Sequence, residues 1–427
     1  MRVNLQVLGC RLNEAELQQW ACEFQARGHE ITAQVEKADL LVINSCAVTG
    51  EAGRKSRQLI RRAQRDNPRA KLVVSGCYAT LAAQQTAAIE GVDLVVSNQD
   101  KDRLVDKIEQ ALQFDTMPVL AQRPAETALF RRGRSRAFIK VQDGCRWRCS
   151  YCIVTIARGE ERSTAQAQII EQINRHAAQG VQEIVLTGVH LGGYGSDIDS
   201  SLYALTRAVL RETDIPRIRF GSLEPWDLQD GFFELFENPR LMPHLHLPLQ
   251  SGSDSVLKRM ARRCKTQDFA NLVAAARKSI ADFNVTTDII VGFPGETDSE
   301  WQQGMEFIES IGFGHIHVFS FSPRAGTKAA GMNNPVAADV IKQRSAALHA
   351  LANRMKQTHM ASLNEREFAV LLEDKVEARP NGRYRYLGYT PNYSRVTVDL
   401  DDAEKGNRIV TLKTMLQDDR LWASRAA

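Results

Sequence analysis

The chain lacks several features that would assign it to a class directly. No apolar run approaches the roughly 18 to 20 residues that span a bilayer as a helix. The opening MRVNLQVLGC has neither the apolar stretch nor the cleavage site of a secretory leader, so the expectation is a cytoplasmic protein with no membrane partner. Cysteine is scarce, with eight in 427 residues. That is too few for a disulfide framework, and a reducing compartment keeps thiols free, so metal binding or catalysis is their better use. An excess of one charge is also missing: 55 Lys and Arg against 51 Asp and Glu leave a net +4, which names no partner. At 43% hydrophobic and 25% charged residues, the composition excludes disordered and collagen-like classes. The length exceeds one ordinary core and points to two or three domains.

The few cysteines are arranged. Residues 143–152 read DGCRWRCSYC, which sets Cys145, Cys149 and Cys152 in a C-x3-C-x2-C run. A closed zinc or iron–sulfur site takes four side-chain ligands, so three thiolates leave one coordination position open for chemistry. A second set is spread over the first eighty residues, where VNLQVLGC, LLVINSC and KLVVSGC end in Cys10, Cys46 and Cys77, with helix-like stretches between them. Strand and helix in alternation predict a parallel sheet. Ligands bind beyond the carboxyl ends of such strands, so these three cysteines are expected at one edge as a second three-thiolate site. The plainer reading, cysteine as a small buried hydrophobe, gives no reason for a shared strand-end position. Cys22 and Cys264, in QWACEF and MARRCK, are assigned to packing.

From about residue 136, six apolar runs alternate with helical stretches: RAFIKVQ, VQEIVLTG, RIRFGSL, HLHLPLQ, NVTTDIIVG and HIHVFSFS. Six strands with helical crossovers predict a partial (β/α)6 barrel, whose chemistry belongs on the loops after the strands. The first of those loops holds Cys145, Cys149 and Cys152, and the second and fifth strands run into TGVHLGGYG and GFPGE. After a helical connector the pattern changes to five short runs, EFAVLLED, KVEARP, RYRYLGYT, SRVTVDLD and NRIVTLKTML, with a turn at PNG; these predict a small all-β barrel. Tyr384, Tyr386, Tyr389 and Tyr393 fall there beside Arg383, Arg385 and Arg395, a mixture suited to stacked bases and phosphates. Alternating tyrosines facing a barrel core are the rival reading. A second basic stretch, GRKSRQLIRRAQRDNPR, carries Arg57, Arg61 and Arg62.

All-thiolate shells suit zinc with a water or an iron–sulfur cluster with one open iron. The DGCRWRCSYC run resembles the cluster loop of the radical S-adenosylmethionine enzymes. Together with LGCRLNEAEL, INSCAVTGEAGRKSRQLIRRA, VVSGCYA, LTGVHLGGYG, SLEP, LHLPLQSGSDSVLKRMARR, TTDIIVGFPGET and FSPRAGTKAA, it resembles the methylthiotransferases over nearly the whole chain. The GRKSRQLIRRA stretch and SLEP look most like the branch acting on N6-threonylcarbamoyladenosine in transfer RNA. Two positions depart from the family: Val154 and Thr155 stand where Ile-Pro is common, and Ser45 stands where Thr usually precedes the cysteine.

The resemblance implies an α/β protein of three parts. These are an N-terminal open parallel-sheet domain over residues 1–120, a radical S-adenosylmethionine partial barrel over 131–360, and a TRAM-like RNA-binding barrel over 362–427. It implies two [4Fe-4S] clusters. The one on Cys145, Cys149 and Cys152 would cleave S-adenosylmethionine to a 5′-deoxyadenosyl radical; the one on Cys10, Cys46 and Cys77 would carry the sulfur to be methylated. Contacts to S-adenosylmethionine are implied at Gly188, Gly192, Gly193, Ser222, Glu224, Ile290 and Gly292. A solvated or salt-bridged acid is the rival role for Glu224. Expected partners are a tRNA substrate and an electron donor such as flavodoxin or ferredoxin, with the protein a monomer. Related targets, N6-isopentenyladenosine or a ribosomal-protein aspartate, remain open, as does a zinc-stabilised RNA-binding protein without catalysis.

Overall fold

The computed structural model describes residues 1–112, 135–379, 383–400 and 406–425. The predicted PNG turn at 380–382, and the expected boundary between residues 120 and 131, lie outside the described residues. The chain forms two compact units. One contains the N-terminal residues together with Asp143–Arg162 and Ser322–Ala330; the other contains the rest. Among the described residues no helix is long and apolar enough to cross a membrane.

The first unit is a five-stranded parallel sheet in the order β2-β1-β3-β4-β5, from β1 (Arg2–Val7), β2 (Glu30–Ile31), β3 (Leu40–Ser45), β4 (Lys71–Gly76) and β5 (Leu94–Val96). Its helices are α1 (Arg11–Ala26), α2 (Gly50–Asp66), α3 (Cys77–Leu81), α4 (Ala83–Ala87), α5 (Leu104–Ala111) and, after the cysteine loop, α6 (Val154–Arg158). Both faces of the sheet are covered. Leu40 and Val42 pack with Trp20, Phe24 and Ile108 on one side; Leu41 and Ile43 pack with Ile60, Ala63 and Tyr78 on the other. Double coverage explains why LLVIN reads as an unbroken apolar run rather than an alternation. On α2 the buried residues are Gly53, Ser56, Ile60 and Ala63, spaced three and four apart, so its arginines face solvent. The Thr49 hydroxyl caps this helix, accepting from the Ala52 amide at 3.1 Å.

The second unit contains six parallel strands, β6 (Arg136–Lys140), β7 (Glu183–Thr187), β8 (Arg217–Phe220), β9 (His244–His246), β10 (Asn284–Val291) and β11 (His315–Ser320). They form two three-stranded sheets, β8-β7-β6 and β9-β10-β11, linked by parallel bridges from Ile218 to Leu241 and from Ser222 to His246. Helices α7 (Gln166–Ala178), α8 (Leu202–Glu212), α9 (Asp254–Arg259), α10 (Thr266–Ser279) and α11 (Asp298–Ile311) make the crossovers, and α12 (Ala338–Ser362) follows β11. Two of these helices are capped at their starts: Thr297 and Glu300 form a capping box on α11, and Ser201 caps α8.

The tail closes into a five-stranded barrel in the order β12-β13-β14-β16-β15, from β12 (Glu367–Ala378), β13 (Tyr384–Tyr389), β14 (Arg395–Leu400), β15 (Arg408–Gln417) and β16 (Arg420–Ser424). The strand count matches expectation but two assignments change. EFAVLLED and KVEA are one strand, β12, whose register shifts between Leu372 and Val376, and such an irregularity breaks the alternation that marks a strand. The fifth strand is RLWAS, too short and mixed to stand out by pattern.

This barrel seats on the amino-terminal end of the six-stranded one. Glu183 is buried there among three guanidinium groups, with Arg136 at 2.6 Å, Arg219 at 3.2 Å and Arg217 at 3.8 Å. Burial alone would raise its pKa, but Arg219 and Arg136 pull it down to about 2. Arg219 also donates to the Pro391 carbonyl at 3.0 Å, and Asn284 donates to the Asn392 carbonyl at 2.8 Å. Tyr389 and Tyr393 stack at 5.1 Å, with Arg136 over the first at 4.1 Å and Arg219 over the second at 4.6 Å. Glu183→Ala leaves buried guanidiniums without their shared carboxylate and should destabilise the unit by about 3–5 kcal/mol, read as a lower denaturation midpoint. Since the folded pKa lies below the ordinary 4.5, the carboxylate's contribution is complete above that pH and is lost as pH falls towards 2. Glu183→Gln should therefore flatten the acid limb of the stability profile.

Candidate active site

Cys10 follows β1 and precedes α1, Cys46 follows β3, and Cys77 follows β4 and opens α3. β1, β3 and β4 are neighbours in the sheet, so the three thiols meet beyond their carboxyl ends, and Cys46 lies within electrostatic reach of both Cys10 and Cys77. Polar neighbours hold each one. Cys10 Sγ donates to Asn13 Oδ1 at 3.6 Å, and Asn98 Nδ2 donates to Cys77 Sγ at 3.6 Å. Ser56 of α2 accepts from the Cys46 amide at 3.0 Å and donates back to its carbonyl at 2.8 Å. Gly9 has φ +115°, and a Cβ there would stand 2.8 Å from Cys46 Sγ, so glycine keeps the space beside that sulfur open. Burial pushes the Cys46 thiol up to about 11.

The C-x3-C-x2-C loop is equally constrained. The Cys145 amide donates to the Gly159 carbonyl and the Cys152 amide to the Cys149 carbonyl, both at 3.0 Å. Gly144 has φ +73°, and any side chain there would run into the Glu160 carbonyl. Thr155 donates from its hydroxyl to the Trp147 carbonyl at 3.0 Å. That bond ties α6 to the loop and supplies stiffness that proline would supply through its fixed φ.

Each set offers three thiolates, the donor number that leaves one iron of a [4Fe-4S] cluster open.

A buried charge network joins the two cysteine sets. Glu16 of α1 and Asp143 both pair with Lys101 and Arg158; Lys101 Nζ lies 2.5 Å from Glu16 and 2.6 Å from Asp143, and Arg158 Nη1 lies 2.8 and 3.0 Å from the same carboxylates. Arg158 Nη2 donates to Asn13 Oδ1 at 2.7 Å, and Asn44 donates to Glu16 at 2.9 Å. Burial works against the charge on Arg158, but Glu16, Cys77, Asp143 and Cys10 hold its pKa well above the ordinary value. Sequence reading missed this group because its members are far apart in the chain and carry no spacing signal.

In the second unit the predicted S-adenosylmethionine contacts lie at the carboxyl ends of the barrel strands. Gly188 follows β7, and a Cβ there would meet Gln142 Oε1 at 2.9 Å. Gly192 and Gly193 form a tight turn against Asp227, whose carboxylate pairs with His190 at 2.5 Å. Ser222 is exposed after β8. Glu224 pairs with Arg262 at 2.8 Å, and Arg262 also covers the Trp226 ring. Ile290 is half-buried near the end of β10. Gly292 has φ +78° and donates to Glu296 at 3.1 Å, while Glu296 is itself held by Arg344 at 2.8 Å. His190, Asp227, Glu296 and Arg344 were not anticipated from sequence.

The basic residues divide. Arg57, Arg61 and Arg62 lie exposed on α2, with Arg62 paired to Asp66 at 3.3 Å. Arg383 and Arg395 are exposed. Arg385 forms a bidentate pair with Asp399, at 2.8 Å to each oxygen. Tyr389 is stacked at the base of the six-stranded barrel and Tyr386 is buried in the tail's core.

Residues 2–97 match the Uncharacterized protein family UPF0004 and residues 139–308 the Radical SAM superfamily. The chain is 36% identical to the threonylcarbamoyladenosine tRNA methylthiotransferase MtaB of Bacillus subtilis, covering 92% of this chain and 89% of that one. It is 35% identical to the MtaB protein of Thermotoga maritima, covering 87% and 86%. A tRNA-2-methylthio-N(6)-dimethylallyladenosine synthase of Bacillus licheniformis is 32% identical, covering 88% and 77%. Among solved structures the fold is similar to the radical S-adenosylmethionine methyltransferase TsrM of Kitasatospora setae, with TM-score 0.56 at 14% identity over 77% of each chain. The chain belongs to the methylthiotransferase family of radical S-adenosylmethionine enzymes.

Arg158→Met leaves two buried carboxylates to share Lys101 and should cost about 3–5 kcal/mol of stability in the first unit. Arg158→Lys, which keeps the charge but loses the fork, should recover part of the loss in a denaturant titration.

Proposed function

We propose that the protein converts N6-threonylcarbamoyladenosine at position 37 of tRNA, next to the anticodon, to its 2-methylthio derivative. The observation that carries the reading is the pair of three-cysteine sets in one chain. Identity of 36% and 35% to two enzymes of that name, over most of both chains, supports the choice of substrate.

The adenine C2–H bond is beyond the reach of any side-chain base, which is why a cofactor must supply the reactivity. With [4Fe-4S] clusters and S-adenosylmethionine bound, the chain would have a source of carbon radicals and a source of methylated sulfur. The protein's own part is positional. Cys145, Cys149 and Cys152 would hold the first cluster, and Cys10, Cys46 and Cys77 the second. Gly188, Gly192, Gly193, Ser222, Ile290 and Gly292 would let the barrel rim approach S-adenosylmethionine closely, while Glu224, through Arg262, would hold its loop in place. Arg57, Arg61, Arg62, Arg383 and Arg395 would meet phosphates. Tyr389 would act as part of the seat for the tail rather than by stacking on RNA. A one-electron donor such as flavodoxin or ferredoxin would complete the reaction, in the cytoplasm where tRNA is modified, with the enzyme acting as a monomer.

Mass spectrometry of nucleosides from bulk tRNA of a strain lacking the gene tests this. The 2-methylthio-N6-threonylcarbamoyl nucleoside should vanish and its precursor accumulate. Loss of the dimethylallyl counterpart instead would move the substrate to the second branch, and no change in either would turn attention to a protein target.

A further inference from the structure

In the first unit's sheet β1, β3 and β4 each deliver a cysteine just beyond their carboxyl ends, and the neighbouring strand, β5, delivers Asn98. This side chain is fully buried, and a buried primary amide needs partners for its donors. Asn98 Nδ2 donates to the Ala157 carbonyl of α6 at 2.9 Å and to Cys77 Sγ at 3.6 Å. A carbonyl can only accept, so Ala157 fixes which end of the amide is nitrogen and leaves the second N–H for the sulfur. The main chain is anchored too. The Asn98 amide donates to Thr80 Oγ1 at 2.8 Å, and Thr80 lies on α3, the helix that Cys77 opens. At the other two cysteines burial opposes ionisation, while the backbone amides of Asn13 and Val48 favour it at Cys10 and Cys46. At Cys77 a side chain makes the contact, so this donor can be removed by substitution.

We propose that Asn98 raises the reduction potential of the cluster on Cys10, Cys46 and Cys77 by donating a hydrogen bond that strengthens as the Cys77 sulfur gains charge. The inference rests on the cluster placement proposed above and adds a residue that is not a ligand. Hydrogen bonds to the sulfurs are among the levers that set cluster potentials, and groups one step removed from a metal tune it through its ligands. One electron, supplied by the one-electron donor, adds negative charge that the thiolates share; no bond to Cys77 forms or breaks. Hydrogen bonds to an ionised acceptor are about twice as strong as neutral ones, so the contact favours the more negative, reduced state. An Asn98 that merely tied α6 to the sheet would leave the potential where it is.

The test uses the full chain with Cys145, Cys149 and Cys152 replaced by alanine, so that after anaerobic reconstitution the remaining cluster is read alone in an EPR-monitored redox titration. Asn98→Leu, close in size but without a donor, should bind the same iron and lower the midpoint potential by about 59 mV, a tenfold change in the one-electron equilibrium. The smaller Asn98→Ala should do the same, and Asn98→Gln, which keeps an N–H donor, should recover part of the shift. Full iron content with an unshifted potential in both donor-free variants overturns the inference. Loss of the cluster from both, with retention in Asn98→Gln at the unsubstituted potential, also overturns it and assigns Asn98 to holding α6. No iron in the parent chain overturns the cluster placement and the inference together. Failure of the wild-type holoenzyme to methylthiolate an anticodon stem–loop carrying N6-threonylcarbamoyladenosine overturns the proposed activity, and the potential shift still decides the role of Asn98.

Discussion

Four buried charges hold the first unit's chemistry in place. Glu16, Lys101, Asp143 and Arg158 sum to zero, and each acid touches both bases. Burying four ionised groups is costly, and the geometry offsets that only when every partner is present. The position of the members explains why the knot matters. Asp143 lies two residues before Cys145, and Arg158 lies six after Cys152; Lys101 holds the first, Glu16 the second, and the two pair with each other, so the cysteine loop is clamped at both ends. Glu16 and Asn13 belong to the helix that begins beside Cys10, and Arg158 lies within electrostatic reach of Cys10 and Cys77. One polar cluster therefore fixes both sets of cysteines, and removing a single member leaves the remaining charges buried and unmatched.

A comparable logic governs the base of the six-stranded barrel. Three arginines around Glu183 would repel one another in a dry site, and the carboxylate, the Pro391 carbonyl and two tyrosine faces absorb their charge. The tail is thus joined to the barrel through its tyrosines. Of the aromatic and basic residues in that stretch, Arg383 and Arg395 are exposed.

What could be read from sequence follows a simple division. Cysteines at the ends of apolar runs were legible because strand periodicity and strand-end position are local signals, and the six barrel strands were legible for the same reason. Contacts between residues distant in the chain leave no such trace. Arg158 and Glu16, 142 residues apart, meet through the fold alone, as do Glu224 and Arg262. Tyr389 shows the limit from the other side: aromatic and basic residues in alternation suit RNA, yet the same alternation serves a packed seat. In β12 the irregular register erased the pattern that would have marked a single strand.

The central claim is a division of labour between two cysteine sets, and a variant with Cys10, Cys46 and Cys77 all replaced by alanine tests it most directly. After anaerobic reconstitution it should hold about half the iron of wild type. With reductant, S-adenosylmethionine and the threonylcarbamoyl stem–loop, it should still release 5′-deoxyadenosine but form no 2-methylthio product. Unchanged iron content, or product formed at the wild-type rate, would contradict the account.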